Sequence, residues 1–298
     1  MEGFGEAKLS NNKSMTTEFK KQVQEKLEVF VTNAGSQNKA ATALTGASPA
    51  LLSQIKNNNW ELISDAMWRT VASQIGMNAK DWVCVETTDF KLITHFLKDA
   101  QTNANVFAMT GDAGSGKSKT FELYTQDHKN AYLLSCAEYW NRKEFLIQLL
   151  TAMKIDSSGF TVAEMMNEIV KKLKSQENPL IILDEADKLP DTVLYFFITL
   201  YNRLEDHCGI VMCATDHLSK RIAKGIKLNR KGYKEINSRI GRKFIELKGV
   251  NFTDVTQICI ANGIENPKEI KEIFADCEQD LRRVKRKIHA FKNKKNDD

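Results

Sequence analysis

No stretch of this 298-residue chain approaches the roughly 18 consecutive apolar residues of a membrane-crossing helix, so no membrane partner is expected. No apolar segment follows a basic start, so no secretory signal is expected either. The six cysteines, Cys84, Cys136, Cys208, Cys213, Cys259 and Cys277, form no C-x-x-C pair and no zinc spacing. Several lie on apolar segments and read as buried, reduced thiols. The five histidines are scattered, which argues against a metal centre built on them. Internal repeats are lacking. Acidic residues are scarce in two places. Between Lys220 and Lys243, Glu235 alone faces ten Lys and Arg residues, a net +9. Between Arg282 and Lys295 there is no acid at all, a net +8. The whole chain carries only +5, so the remainder is strongly acidic at −12. Positive charge gathered in this way most often meets a phosphate backbone, although charge runs are also commonly just solvated faces.

What is present carries more. Gly111-Asp112-Ala113-Gly114-Ser115-Gly116-Lys117-Ser118 fits G-x-x-x-x-G-K-[ST]. An apolar segment, Val106 to Thr110, precedes it, and a helical pattern starts at Lys119. In such a strand–loop–helix, glycines let the backbone aim N–H groups at phosphate oxygens, and the helix start adds positive potential. Lys117 is expected to reach the β/γ-phosphates and Ser118 to hold Mg2+. Residues 111 to 118, together with Lys119, are the expected ATP contacts. A second apolar strand, Pro179 to Leu183, ends in Asp184 and Glu185. Its lack of alternation predicts burial on both faces, as in a parallel sheet. Asp184 is assigned to the metal and Glu185 to the attacking water. A third apolar strand, Gly209 to Ala214, ends at Thr215, with Asp216 placed behind it. Thr215 is either a sensor of the γ-phosphate or an ordinary strand-end turn residue.

These elements resemble the AAA+ ATPases. Asn237-Ser238-Arg239-Ile240-Gly241-Arg242 resembles the family's Ser-Arg segment, whose arginine reaches a neighbouring subunit's nucleotide. Arg239 matches best, with Arg242 as the alternative. Gln279-Asp280-Leu281-Arg282-Arg283 resembles the lid segment with a second sensing arginine, which assigns Arg282 to the nucleotide. The family often has Gly where this chain has Gln279.

Toward the N-terminus, Thr17 to Asn33 is predicted helical, with Phe19, Val23, Leu27 and Phe30 on one face. Ser36 to Leu44, a turn at Gly46, and a helix from Pro49 to Asn57 capped by Ser48 follow the helix-turn-helix pattern. A fourth helix is predicted over Asp65 to Gln74. Gln54 and Lys56 are the groove-facing candidates of this domain, which binds either DNA or a protein partner. After another expected strand, Ala131 to Cys136, the residues Trp140, Arg142 and Lys143 mix aromatic and basic character, and with Lys220, Arg221 and Lys224 they complete the expected DNA contacts.

The expected architecture is an α/β protein. A helical domain (1–77) precedes a three-layer αβα core (78–250) and a short helical lid (251–298), hinged at Asn251-Phe252. This order resembles the transposition ATPases of the phage Mu B, TnsC and IstB type. The resemblance implies a cytoplasmic protein of a bacterial or phage-infected cell. It would bind ATP and Mg2+, form a helical filament or ring on duplex DNA, and deliver that DNA to a transposase. A helicase loader or replication initiator, and a nucleotide switch with a protein-binding helical domain, remain open beside it.

Overall fold

The computed structural model describes residues 17–44, 46–75 and 82–297. The chain divides into two compact units. One takes in Met1–Val85 with Ile260–Gly263, and the other Glu86–Cys259 with Ile264–Asp298. The expected boundary at 77/78 lies outside the described residues.

The first unit holds α1 (Thr17–Ala34), α2 (Gln37–Ala43), α3 (Pro49–Lys56) and α4 (Asp65–Gln74). Each start after the first is set locally. The hydroxyls of Ser36, Ser48 and Ser64 accept from the backbone N–H of Lys39, Leu51 and Met67. Such caps contribute about 1 kcal/mol each. Val23, Leu27, Ala40, Leu52, Ile55, Trp68 and Val71 form the apolar centre. Gln37 Nε2 ties α2 to α3 by donating to Pro49 O at 2.7 Å and Ser53 Oγ at 2.6 Å.

The second unit begins with α5 (Thr88–Asn103) and β1 (Val106–Thr110), followed by α6 (Lys117–Asp127) and β2 (Ala131–Ser135). Then come α7 (Arg142–Ala152), α8 (Val162–Lys174), β3 (Leu180–Asp184) and a 3-10 turn at Ala186–Lys188. Next are α9 (Asp191–Leu204), β4 (Gly209–Ala214), α10 (Asp216–Lys227), α11 (Tyr233–Arg239) and β5 (Phe244–Glu246). Three helices close the chain: α12 (Phe252–Ala261), α13 (Pro267–Cys277) and α14 (Leu281–Asp297).

All strand pairs are parallel, in the order β2-β3-β4-β1-β5. Every residue of β3 and β4 is buried, as their unbroken apolar runs require. One apolar core, around Phe145, Ile169, Ile181, Phe197 and Ile210, covers one face, and a second, around Ile93, Leu97, Met109, Phe121 and Val211, covers the other. The result is the expected αβα sandwich. After β1 the chain crosses to the far edge of the sheet at β2, so the order reverses between β1 and β4. In open α/β sheets a ligand crevice forms beyond the strand ends at such a point.

The hinge differs from expectation. Phe252 is already helical, and Asn251 is the cap: its side chain accepts from Asp254 N at 2.9 Å, and Asp254 accepts from Asn251 N at 3.3 Å. The helix therefore starts at the second of the two expected hinge residues, and the first serves as its cap. Among the described residues no helix is long and apolar enough to cross a membrane.

Candidate nucleotide site

The phosphate loop leaves β1 with Gly111 N donating to Ala214 O at 3.2 Å. Gly114 and Gly116 sit at φ +86° and +93°, the left-handed region that favours glycine. A Cβ on Gly114 would run into the Asp280 carboxylate, and one on Gly116 would lie 2.9 Å from Leu281 Cδ1. The loop is thus closely packed against the start of α14. Leu281 N also donates to Gly114 O at 2.9 Å.

Lys117 Nζ folds over this loop. It donates to the carbonyls of Gly111 (2.7 Å) and Asp112 (2.6 Å) and to Ser115 Oγ (3.3 Å). These partners are dipoles, so a phosphate oxygen, which offers full charge, competes well against them. Ser118 Oγ donates to Asp184 Oδ2 at 2.5 Å, joining the first turn of α6 to the tip of β3. Asp184 is 2% exposed, and burial pushes its carboxyl above the usual range, against the Ser118 and Glu185 N hydrogen bonds that lower it. A hydroxyl and a buried carboxylate form a hard-oxygen pair that fits Mg2+, which takes few protein ligands beside phosphate and water.

Glu185 has φ +55°, a strained geometry for a non-glycine residue that turns its side chain outward. Its Oε2 pairs with Lys188 Nζ at 2.7 Å, in solvent. Thr215 Oγ1 donates to Asp187 Oδ2 at 2.6 Å. The acid behind Thr215 is therefore Asp187, a correction to the reading that put Asp216 there. Asp216 is exposed and pairs with Lys220 one helical turn on.

Several expected contacts lie elsewhere. Trp140 is 5% exposed and packs edge-on against Phe145, so it belongs to the core and not to a DNA surface. Its neighbour Tyr139 is 76% exposed and takes the outward place. Backbone direction at a loop–helix junction decided between the two, and composition alone carried no such signal. Arg221 is also redirected. It bonds Asp191, the Tyr233 hydroxyl and the carbonyls of Asp187 and Leu189, and is no free phosphate contact. The side chain of Lys119 turns outward to Glu122. Arg142, Lys143, Lys220, Lys224 and Lys56 are exposed, and Gln54 is half-buried. Arg239 ends α11, lies 4.9 Å from the Tyr201 ring centre, and faces Glu205 and Glu235 at 3.8 and 3.7 Å. Arg242 is exposed at φ +61° just before β5. Arg282 is exposed on the first turn of α14, where its N–H donates to Asp280 Oδ1 at 2.7 Å.

Two buried acids escaped the sequence reading. Asp89 accepts from Lys248 N (3.1 Å) and Gly249 N (2.8 Å). Asp254 Oδ1 accepts from both N and Oγ1 of Thr88. Together they pin the start of α5 to the β5–α12 connection. Neither belongs to a motif, so only the fold reveals them. Burial pushes the Asp89 carboxyl up, against its two backbone donors, and nearby Asp254 raises it further.

Residues 100–222 match the AAA domain family model. An AAA domain implies nucleotide binding and ATPase activity in general. No curated protein matches the chain. Among solved structures, Cdc6p from Pyrobaculum aerophilum is similar at 17% identity and TM-score 0.43, over 61% of this chain and 50% of that one. NtrX from Brucella abortus, in complex with ATP, is similar at 10% identity and TM-score 0.46, over 80% of this chain and 58% of that one. A second NtrX structure gives 11% and 0.44, over 80% and 55%. The chain therefore spans 50 to 58% of the length of these proteins.

Proposed function

We infer that this protein is an ATP-dependent DNA-binding ATPase that assembles on duplex DNA and presents that DNA to a transposase. One observation carries the ATPase part. Lys117, the Ser118–Asp184 pair, Glu185 and Thr215 converge at the carboxyl ends of β1, β3 and β4, beside the point where strand order reverses. In this reading Lys117 exchanges its carbonyl partners for the β/γ-phosphates. Ser118 and Asp184 hold Mg2+, which when bound would offset charge on the phosphate oxygens. Glu185 leaves Lys188 to orient the attacking water. Thr215 reads the γ-phosphate against Asp187, and Arg282 approaches it from the lid. Arg239 completes the site of a neighbouring subunit, so nucleotide state and assembly are linked.

The DNA part is supported by charge. Lys220, Lys224, Lys227, Arg230, Lys231 and Lys234 are exposed along one segment, and they suit phosphate better than base edges. The helical domain (1–77), the core (78–250) and the lid (251–298) are the working parts in this proposal. Negative-stain imaging, with and without duplex DNA and a slowly hydrolysed ATP analogue, tests it directly. Filaments or rings that need both ligands are expected; particles that stay monomeric under all conditions would sink it.

A second reading has its own observation. Arg239 lies on Tyr201 of its own subunit, as a monomeric nucleotide switch would keep it. Its two ion pairs are long and partly exposed, so they hold it weakly. The same imaging separates the two readings.

A further inference from the structure

One polar cluster lies outside the expected nucleotide contacts and centres on Arg221. Its guanidinium donates from Nη1 to Leu189 O at 2.7 Å and to Asp187 O at 3.3 Å. Nε donates to Asp191 Oδ1 at 3.1 Å and to the Tyr233 hydroxyl at 3.2 Å, and Nη2 pairs with Asp191 as well. Tyr233 in turn donates to Asp191 Oδ1 at 2.9 Å. Four elements meet here: the turn that follows Glu185, the first residue of α9, the middle of α10 and the first residue of α11. Tyr233 is buried, and its ring fills the space over Gly225 of α10, where any Cβ would collide with it. The two ends of the cluster matter. At one end, Asp187 holds the Thr215 hydroxyl at the mouth of the site. At the other, α11 runs from Tyr233 to Arg239.

We propose that Arg221 is a positioning residue that couples the catalytic turn 185–191 to α11, and so sets where Arg239 stands according to what Thr215 and Asp187 meet. This rests on the reading of Thr215 as the γ-phosphate sensor and of Arg239 as the finger. Arg fits the task because its planar fork donates in several fixed directions at once, which a lysine cannot do. The two carbonyls it binds belong to the turn itself, so a shift of Asp187 moves the guanidinium, and Asp191 and Tyr233 carry that shift to the start of α11.

The test is amide hydrogen exchange of residues 233–239 in the full chain without DNA, with and without ATP and Mg2+, together with a fluorescent-ATP titration. In the unsubstituted protein ATP is expected to change protection of α11. Arg221→Ala and Arg221→Lys should bind ATP within about threefold of normal, yet exchange α11 amides about tenfold faster and lose the ATP-dependent change. Tyr233→Phe keeps the ring packing and removes only the hydroxyl. It should weaken the same response, and it keeps the test informative if the arginine variants fold poorly. The DNA-binding salt slope of Arg221→Ala should stay normal. An intact ATP response of α11 in Arg221→Ala or Tyr233→Phe would overturn the coupling. So would an unsubstituted protein whose α11 ignores ATP. Failure to coat DNA in the imaging experiment would strike the assembly reading alone, because this measurement uses no DNA.

Discussion

Lys117 and Arg221 are both cations near the carboxyl ends of the sheet, and the structure treats them in opposite ways. Lys117 is satisfied by two carbonyls and a hydroxyl, all neutral and all part of the loop it covers. Arg221 is satisfied by a carboxylate, a phenol and two carbonyls from three separate elements. The first arrangement is exchangeable, since a phosphate outbids a carbonyl. The second is structural, since removing the guanidinium leaves a part-buried Asp191 without its cation. A charge count cannot tell the two apart. Partner chemistry and burial decide which cation is available for work.

The comparison can be pressed at several points. The largest effect is expected at Glu185. Among the described residues its side chain pairs with the exposed Lys188, so it is as free as Lys117 to change contacts. Glu185→Gln should bind ATP normally and lose turnover by about 10²- to 10⁴-fold, the usual worth of a positioned general base. Unchanged single-turnover rates would move the water-orienting role elsewhere. Next comes Lys117→Ala. It should weaken ATP binding by about 100-fold or more in a fluorescent-ATP titration, with little change in melting temperature, since only exchangeable partners are lost. Normal affinity would break the comparison at its first term.

Asp89 tests the structural side. Asn in its place keeps one acceptor oxygen but turns an NH2 group toward the other backbone donor. Asp89→Asn should therefore cost about 2 kcal/mol in denaturant unfolding. Because burial raises the Asp89 carboxyl above 3.8, the folded state holds that proton more tightly than the unfolded chain. Its contribution is full below 3.8 and is lost as pH rises through the folded value. The stability gap between the two proteins should narrow as pH rises, and a widening gap would contradict the assigned direction. The smallest effect is at Lys224, one helical turn from Arg221 but exposed. Lys224→Ala should flatten the log–log salt dependence of DNA binding by about 0.9 and change stability by less than about 0.5 kcal/mol. If the slope is unchanged here and flattens in Arg221→Ala instead, the roles of the two residues are reversed.

Much of this was legible beforehand, for identifiable reasons. β1 and β4 lie over the residues their apolar runs predict, and β2 and β3 each differ by one residue at an end. Buried parallel strands need continuous apolar sequence, and that is a local property. The helix start at Pro49 was readable because Ser48 caps it, and the starts at Gln37 and Asp65 follow serines that act in the same way. The loop at Gly111 to Ser118 was readable as a strand-to-helix connection because its glycine pattern is contiguous. Misreadings occurred where a residue's role depends on distant chain. Trp140 or Tyr139, Asp216 or Asp187, and Arg221 or Lys224 are neighbouring or equivalent choices in one dimension.

The amino-acid sequence by itself determined where β1 to β4 and the four N-terminal helices run, where the Gly111–Ser118 pattern lies between a strand and a helix, and that Asp184 ends β3 with Glu185 next to it. Each of these depends on periodicity, caps or contiguous motifs, so a few neighbouring residues are enough to specify it. Tertiary structure alone decided that Arg221 is engaged by Asp191, Tyr233 and two backbone carbonyls, that Trp140 faces inward, and that Asp280 and Leu281 pack on the loop 111–118. It also decided that Asp89 and Asp254 tie the start of α5 to the β5–α12 connection across about 160 residues of chain. Those outcomes follow from hydrogen-bond and packing demands between segments remote in sequence, and such demands exist only once the sheet has brought the segments together.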